Sequence, residues 1–171
     1  MRLLCGSFAL CWFGVALAYA ETGAKTFAKK SDGVLALWSA LFWPLHVINT
    51  LTLYLFRRRA KENAFDLIND SILLSCKLNS KDQAVLQNHK VSAVLDVTCE
   101  FSETSFLRAL NYRSISVLNT CTPTIEQLRE GAQFIEESAK DGGVSFTARS
   151  VTGEVRCLCS LLDTIGTRLK R

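Results

Sequence analysis

The chain has 171 residues, 49% of them apolar, and a net charge of +4. The basic residues form no long run and no nucleic-acid motif accompanies them, so nucleic acid is excluded as the expected partner. Seven cysteines (Cys5, Cys11, Cys76, Cys99, Cys121, Cys157, Cys159) are odd in number and irregularly spaced, which excludes a disulfide-stapled secreted domain and favours reduced thiols in a cytosolic setting.

The apolar excess lies ahead of Arg57. The run from Leu3 to Ala20 carries no charge, and the longer run from Gly33 to Phe56 has His46 as its one ionisable group. A membrane-spanning helix needs roughly 20 apolar residues to cross a hydrocarbon core of about 30 Å. Both segments are therefore expected to span a membrane as an uncleaved hairpin. Trp38, Trp43 and Tyr54 would sit near the interfaces, and Pro44 would be tolerated as a kink. His46 is read as a tolerated polar residue rather than a functional intramembrane group. Arg2, the apolar run and Ala18-Tyr19-Ala20 also fit a cleaved signal peptide, and a soluble fold with two buried helices is a further alternative. Arg57-Arg58-Arg59 and Lys61 follow the second segment, so the positive-inside rule places the remainder in the cytoplasm, although Lys25, Lys29 and Lys30 in the connecting loop weaken that assignment.

Residues 57–70 read as a basic juxtamembrane linker. Ser71 to Ser75 is expected to be a short buried strand. Ser80, with Gln83 three residues on, matches a capping box, followed by Ala84, Val85 and Leu86 facing inward. Val91 to Val97 is a second strand, rich in β-branched residues. A short helix is expected around Ser105 to Leu110, then a third strand from Tyr112 to Leu118. After the loop Asn119 to Pro123, Thr124 and Gln127 match a second capping box. The helix from Ile125 to Lys140 carries Ile125, Leu128, Ala132, Ile135 and Ala139 at helical spacing. Gly142-Gly143 ends it. Alternating strands and helices predict an α/β domain with a largely parallel sheet.

Ile72-Leu73-Leu74-Ser75, Val94-Leu95-Asp96-Val97-Thr98, Asn111-Tyr112-Arg113-Ser114-Ile115, and Pro123 to Ile135 with Phe134-Ile135-Glu136 together resemble the cysteine-dependent dual-specificity, protein-tyrosine-type phosphatases, in a membrane-anchored bacterial-type form. The resemblance covers about Phe65 to Val144, and it lies in the order and spacing of soft hydrophobic motifs. It implies that a buried strand should run next into His-Cys-x5-Arg-Ser. There a thiolate would attack phosphorus, loop amides and the Arg fork would hold the phosphate oxygens, and an Asp from the preceding loop would protonate the leaving group. It implies a phosphoprotein or a phospholipid headgroup as substrate, and no cofactor.

The residues six positions beyond the seven cysteines are Cys11, Leu17, Asp82, Ser105, Gln127, Asp163 and Ile165, so no Cys-x5-Arg occurs anywhere in the chain. At the implied general-acid position, just before Thr120, stands Asn119, which has no carboxylic proton to give. The codons of Phe146 to Val155 nevertheless permit His-Cys-Ala-Leu-Gly-Tyr-Gly-Arg-Ser one frame over. Each needed residue spans the last base of one codon and the first two of the next, and no fixed base forbids it. A change of frame near Val144 is therefore expected to have replaced the family's C-terminus by residues 145–171. That tail carries Cys157-Leu158-Cys159, which lacks the further Cys or His partners of a metal site, so no metal is expected.

The sequence thus predicts four regions: two membrane segments (3–20 and 33–56) within 1–56, the linker 57–70, an incomplete phosphatase-like α/β domain at 71–144, and an aberrant tail at 145–171. Without the strand and helix that the family places around its loop, the sheet would lack its middle strand and fold marginally. The protein is expected to be a membrane-bound, catalytically inactive phosphatase relative. A non-catalytic interaction module is the alternative.

Overall fold

The computed structural model describes residues 2–27, 29–59, 65–69, 72–78, 80–118, 121–140 and 142–147. The β-rich half builds one five-stranded sheet from β1 (Phe65–Asn69), β2 (Ile72–Ser75), β3 (Val91–Thr98), β4 (Asn111–Val117) and β5 (Gly143–Thr147), in the order β1-β2-β5-β3-β4. Strands β2, β5, β3 and β4 run parallel, and β1 closes one edge antiparallel to β2. Parallel strands covered on both faces need continuous apolar runs rather than alternation. In β3, Ala93, Leu95 and Val97 pack toward one face with Ile115, Val144 and Phe146, while Val94 packs toward the other with Leu73 and Leu107.

The first face is covered by α5 (Ile125–Ser138) through Phe134 and Ile135; the second by α3 (Gln83–Asn88) and α4 (Ser105–Arg108) through Leu86 and Leu107. Helix α5 starts where the sequence places it. The Thr124 hydroxyl accepts from the Gln127 backbone N–H at 3.2 Å, and the Gln127 side-chain oxygen accepts from the Thr124 N–H at 2.9 Å, satisfying two otherwise orphaned donors. The Gln127 amide also donates to the Ser116 carbonyl at 3.1 Å, tying the cap to the end of β4. The face of α5 on the core holds Gly131, Phe134, Ile135 and Ser138, with Leu128 and Ala139 packed against it, so the expected stripe holds at Leu128, Ile135 and Ala139 and fails at Ile125, which is 71% exposed.

Several expectations are corrected. No capping box forms at Ser80, which opens a 3-10 turn, and α3 starts after Asp82 without a side-chain cap. Strand β1 lies within the stretch read as a linker. The sheet does not lack its middle strand, because Gly143–Thr147 pairs with β2 on one side and β3 on the other. The sequence beyond Thr147, including Cys157 and Cys159, lies outside the described residues, as does Asn119.

The two membrane-spanning helices, and with them the membrane localisation, are overturned. Among the described residues no helix is long and apolar enough to cross a membrane. Helix α1 (Arg2–Leu17) has 16 residues and α2 (Trp43–Arg59) has 17. At 1.5 Å per residue they reach only about 24–26 Å. The first apolar run leaves α-geometry at Ala18, continuing as a π turn (Ala18–Thr22) and a 3-10 turn (Gly23–Phe27). The second opens at Gly33, with φ +79°, and is interrupted by a 3-10 turn over Leu37–Phe42, and Pro44 sits in the first turn of α2 rather than at a kink. Cys11, Ala18, Phe27 and Phe42 are buried together with Cys99 and Leu118 of the sheet half, so these segments cover protein. His46 is half-buried, with its Nε2 3.2 Å from the Ser39 carbonyl.

Candidate functional site

In open α/β sheets, ligands bind outside the carboxyl ends of the strands, where connections diverge to opposite faces. Here that rim is formed by the ends of β2, β5 and β3. Ser75 and Thr147 pair in register, and the Ser75 hydroxyl lies 3.2 Å from the Ser145 hydroxyl, 3.3 Å from that of Thr147 and 3.3 Å from the Phe146 carbonyl. All of these are buried, so the small hydroxyls bond to one another in place of water. Thr147 closes the central strand at this rim.

Beside it, β3 ends in a charged cluster. Asp96 is fully buried on an apolar strand, a position a carboxylate occupies only when paired and hydrogen-bonded. Its Oδ1 accepts from the Thr98 backbone N–H and the Thr98 hydroxyl, each at 2.8 Å. Its Oδ2 accepts from the Tyr112 hydroxyl and from Lys29 Nζ, each at 2.5 Å. The Lys29 ammonium also donates to the Thr98 carbonyl at 2.9 Å and the Thr98 hydroxyl at 3.2 Å. Neither side chain of this ion pair is exposed. Burial, then the Asp96 charge, raises the Tyr112 phenol above its ordinary range, so it stays protonated and donates.

Two further charges adjoin this network. Lys77, just past β2, holds its ammonium 4.6 Å from the centre of the Phe101 ring. Burial lowers its pKa, while Glu103 pulls the other way. Glu103 is 4% exposed, and neither carboxylate oxygen has a hydrogen-bond partner among the described residues. Its pKa is raised to about 7, first by burial and then by the Asp96 charge. Lys29, Lys77 and the Thr104 N–H temper that rise, the last without a hydrogen bond of ordinary geometry. Glu103 is thus a carboxyl that titrates near neutrality at the sheet rim.

None of these side chains was singled out as a site by the sequence. The available signal was Asp96, the one charge in an otherwise apolar strand with no room for solvent. The thiols expected for phosphate chemistry do not gather here. Cys99 is buried against the N-terminal segment and Cys76 lies just past β2, and no disulfide joins two of the described cysteines. Among the described residues no three His, Cys, Asp or Glu side chains group as metal ligands. A cavity of about 430 Å³ lies between the Gly23–Lys25 turn, β4 and α5. Of its polar lining, Gln127 donates to the Ser116 carbonyl and Glu130 accepts from Arg113, while the Ser114 hydroxyl has no hydrogen-bond partner among the described residues.

No protein-family model matches the chain, and no curated protein matches it. Solved structures of Tk-PTP, a protein tyrosine phosphatase, are distantly similar. The active form aligns at 17% identity and a TM-score of 0.46, covering 53% of this chain and 65% of that one. A mutant form aligns at 17% identity and 0.42, covering 49% of this chain and 59% of that one. The chain therefore spans less than two thirds of the length of either, and it has distant structural similarity to a protein tyrosine phosphatase over about half its length.

Proposed function

We propose that this chain carries a phosphatase-type α/β domain of the cysteine-dependent, dual-specificity kind, and that it does not hydrolyse phosphomonoesters because its loop is missing. The observation that carries this reading is where the central strand ends. Strand β5 lies between β2 and β3 and ends at Thr147, where a loop of backbone amides would face the rim. No cysteine in the chain has an arginine six residues on, and the codons after Phe146 permit His-Cys-x5-Arg-Ser one frame over. A thiol-dependent phosphatase without its nucleophile loses the covalent step itself, and binding recovers only a small part of the rate. The ancestral substrate class is a phosphoprotein or a phospholipid headgroup.

The test is p-nitrophenyl phosphate turnover by the full chain, beside a chain whose sequence after Gly143 is read in the shifted frame. The expected result is no turnover by the first above an alkylated control, and turnover by the second that is lost when the new loop cysteine becomes serine. Turnover by the present chain that survives Cys157→Ser with Cys159→Ser would refute it. So would a coding sequence lacking CAC-TGC in the shifted frame. The second reading, a non-catalytic interaction module, draws on the exposed apolar surface: among the described residues, all the exposed large hydrophobics except Leu67 and Ile125 precede Phe56.

A further inference from the structure

The geometry points to a second binding site: we propose that Asp96, Thr98 and Tyr112 form a socket for a protonated primary amine. Lys29 is its tethered occupant, and residues 29–35 form a strap that an amine-bearing ligand displaces. The socket matches one chemical group. A primary ammonium has three N–H donors, and Lys29 Nζ directs them to Asp96 Oδ2, the Thr98 carbonyl and the Thr98 hydroxyl at 2.5, 2.9 and 3.2 Å. A trimethylammonium offers no donor to these acceptors, and a planar guanidinium cannot direct three donors around one point.

The sheet builds the socket without help from the strap. The Thr98 backbone N–H and hydroxyl fix one carboxylate oxygen, and the Tyr112 hydroxyl fixes the other. These groups come from neighbouring parallel strands, with Asp96 opposite Ser114 in register. The strap contributes the ammonium and the Gly33 contact on the Tyr112 ring, while the hydrogen bonds that aim the acceptors lie within the sheet and stay when it leaves.

The strap is also held as a separable unit. Its turn is closed internally, by the Lys30 N–H on the Val34 carbonyl, the Gly33 N–H on the Lys30 carbonyl and the Val34 N–H on the Asp32 carboxylate. Two hydrogen bonds dock it to the loop after β3, one from the Glu103 N–H to the Gly33 carbonyl at 3.0 Å and one from the Leu35 N–H to the Ser102 hydroxyl at 3.2 Å. Gly33 presses on the Tyr112 ring, where an added Cβ would come within 2.6 Å of the phenol oxygen. Displacement would uncover Glu103, a carboxylate without a hydrogen-bond partner among the described residues, and bring Asp96 and Glu103 to the rim together.

The experiment titrates the full wild-type chain with n-propylammonium, which reproduces the Lys29 side chain beyond its Cβ, and with trimethylpropylammonium as a cation of equal charge. Hydrogen exchange of the Leu35 and Glu103 amides reports strap opening. The dissociation constant is fixed first on Lys29→Ala, whose melting temperature should rise saturably with n-propylammonium, not with the quaternary amine, and not in Lys29→Ala with Asp96→Asn. If Lys29→Ala does not fold alone, its refolding yield in n-propylammonium gives the same reading, and no rescue overturns the proposal. At an amine concentration about ten times that constant, mass action predicts roughly tenfold faster exchange of both amides in the wild type. Exchange that stays unchanged there would make the ion pair a fixed structural tie and overturn the strap. An equal response to both cations would reduce the effect to ionic strength and overturn the socket.

Discussion

Glu103→Gln isolates the cost of charging a carboxylate at the sheet rim. In the folded chain Glu103 is 4% exposed, its oxygens lack hydrogen-bond partners among the described residues, and its pKa rises from 4.5 to about 7. The charges that face it are Asp96 on β3, Lys29 on the strap and Lys77 after β2, with the neutral Tyr112 phenol on β4 beside them. A folded-state pKa above the unfolded value means that the native state holds the proton more tightly. The stability this contributes is complete below about pH 4.5 and is lost as pH rises through about 7. At about 1.4 kcal/mol per pKa unit, the difference amounts to about 3 kcal/mol. Glutamine is neutral and of the same shape, so it keeps the packing and avoids the desolvation of a charge. Urea unfolding of both chains, from about pH 4.5 to about pH 8, reads the effect as the difference between them. Every other titrating group is common to both chains and cancels. The variant should gain on the wild type by about 3 kcal/mol across that range, most of it between about pH 5 and 7. A difference that stays flat within about 1 kcal/mol would refute the reasoning, because Glu103 would then be solvated or paired in the native state.

Gly33→Ala should destabilise by about 2 kcal/mol or more in chemical denaturation, since the position has φ +79° and its Cβ would meet the Tyr112 oxygen at 2.6 Å. Asp96 holds that oxygen, so it cannot swing aside. Tyr112→Phe should cost about 1.5–3 kcal/mol, the range for a hydrogen bond to a charged acceptor, measured the same way. Thr124→Ala should cost about 1 kcal/mol in chemical denaturation, because it removes the hydroxyl that accepts from the Gln127 N–H and leaves the backbone arm of the cap in place. Ile135→Ala should cost about 2–5 kcal/mol while Ile125→Ala stays within about 0.5 kcal/mol, reversing the weight that periodicity alone gives Ile125.

Those last two positions show what was legible in the sequence and what was not. The helix start was readable because a capping box is a local device, satisfied by residues three apart. Its buried face was legible in part: Leu128, Ile135 and Ala139 pack on the core as their spacing gave, but Gly131 sits against Leu95 and Ile115, far away in the chain, and Ile125 is left exposed. The strands β2, β3 and β4 were readable as apolar runs, since burial on both faces leaves no alternative composition. Strand β1 was missed because an antiparallel edge needs burial on one side only, and Leu67 is 55% exposed. Ser80 matched a cap by spacing, yet a 3-10 turn forms there, since the motif states a competence that tertiary packing need not use.

Hydropathy sums over a window and is blind to breaks within it. The apolar content ahead of Arg57 was legible, but the helix it would form was not. A 3-10 turn over Leu37–Phe42 and an early Pro44 divide the second run, and its Phe42 is buried with Phe27 of the preceding turn against Cys99 and Leu118. The same blindness hid the site. Lys29 weighed in the sequence only as a loop charge opposing a membrane topology, and Asp96 as one letter of a strand. They are 67 residues apart, and their ion pair exists only because the broken apolar segment returns across the sheet rim. The turn at Gly33 seats Lys29 in its socket, while the 3-10 stretch over Leu37–Phe42 is what limits α2 to 17 residues. Without Lys29, Asp96 would be a buried carboxylate stripped of its ion-pair partner, a loss that costs several kcal/mol by order of magnitude. The charge on β3 is thus matched by the folded-back N-terminal segment, a pairing that no local reading of either stretch contains.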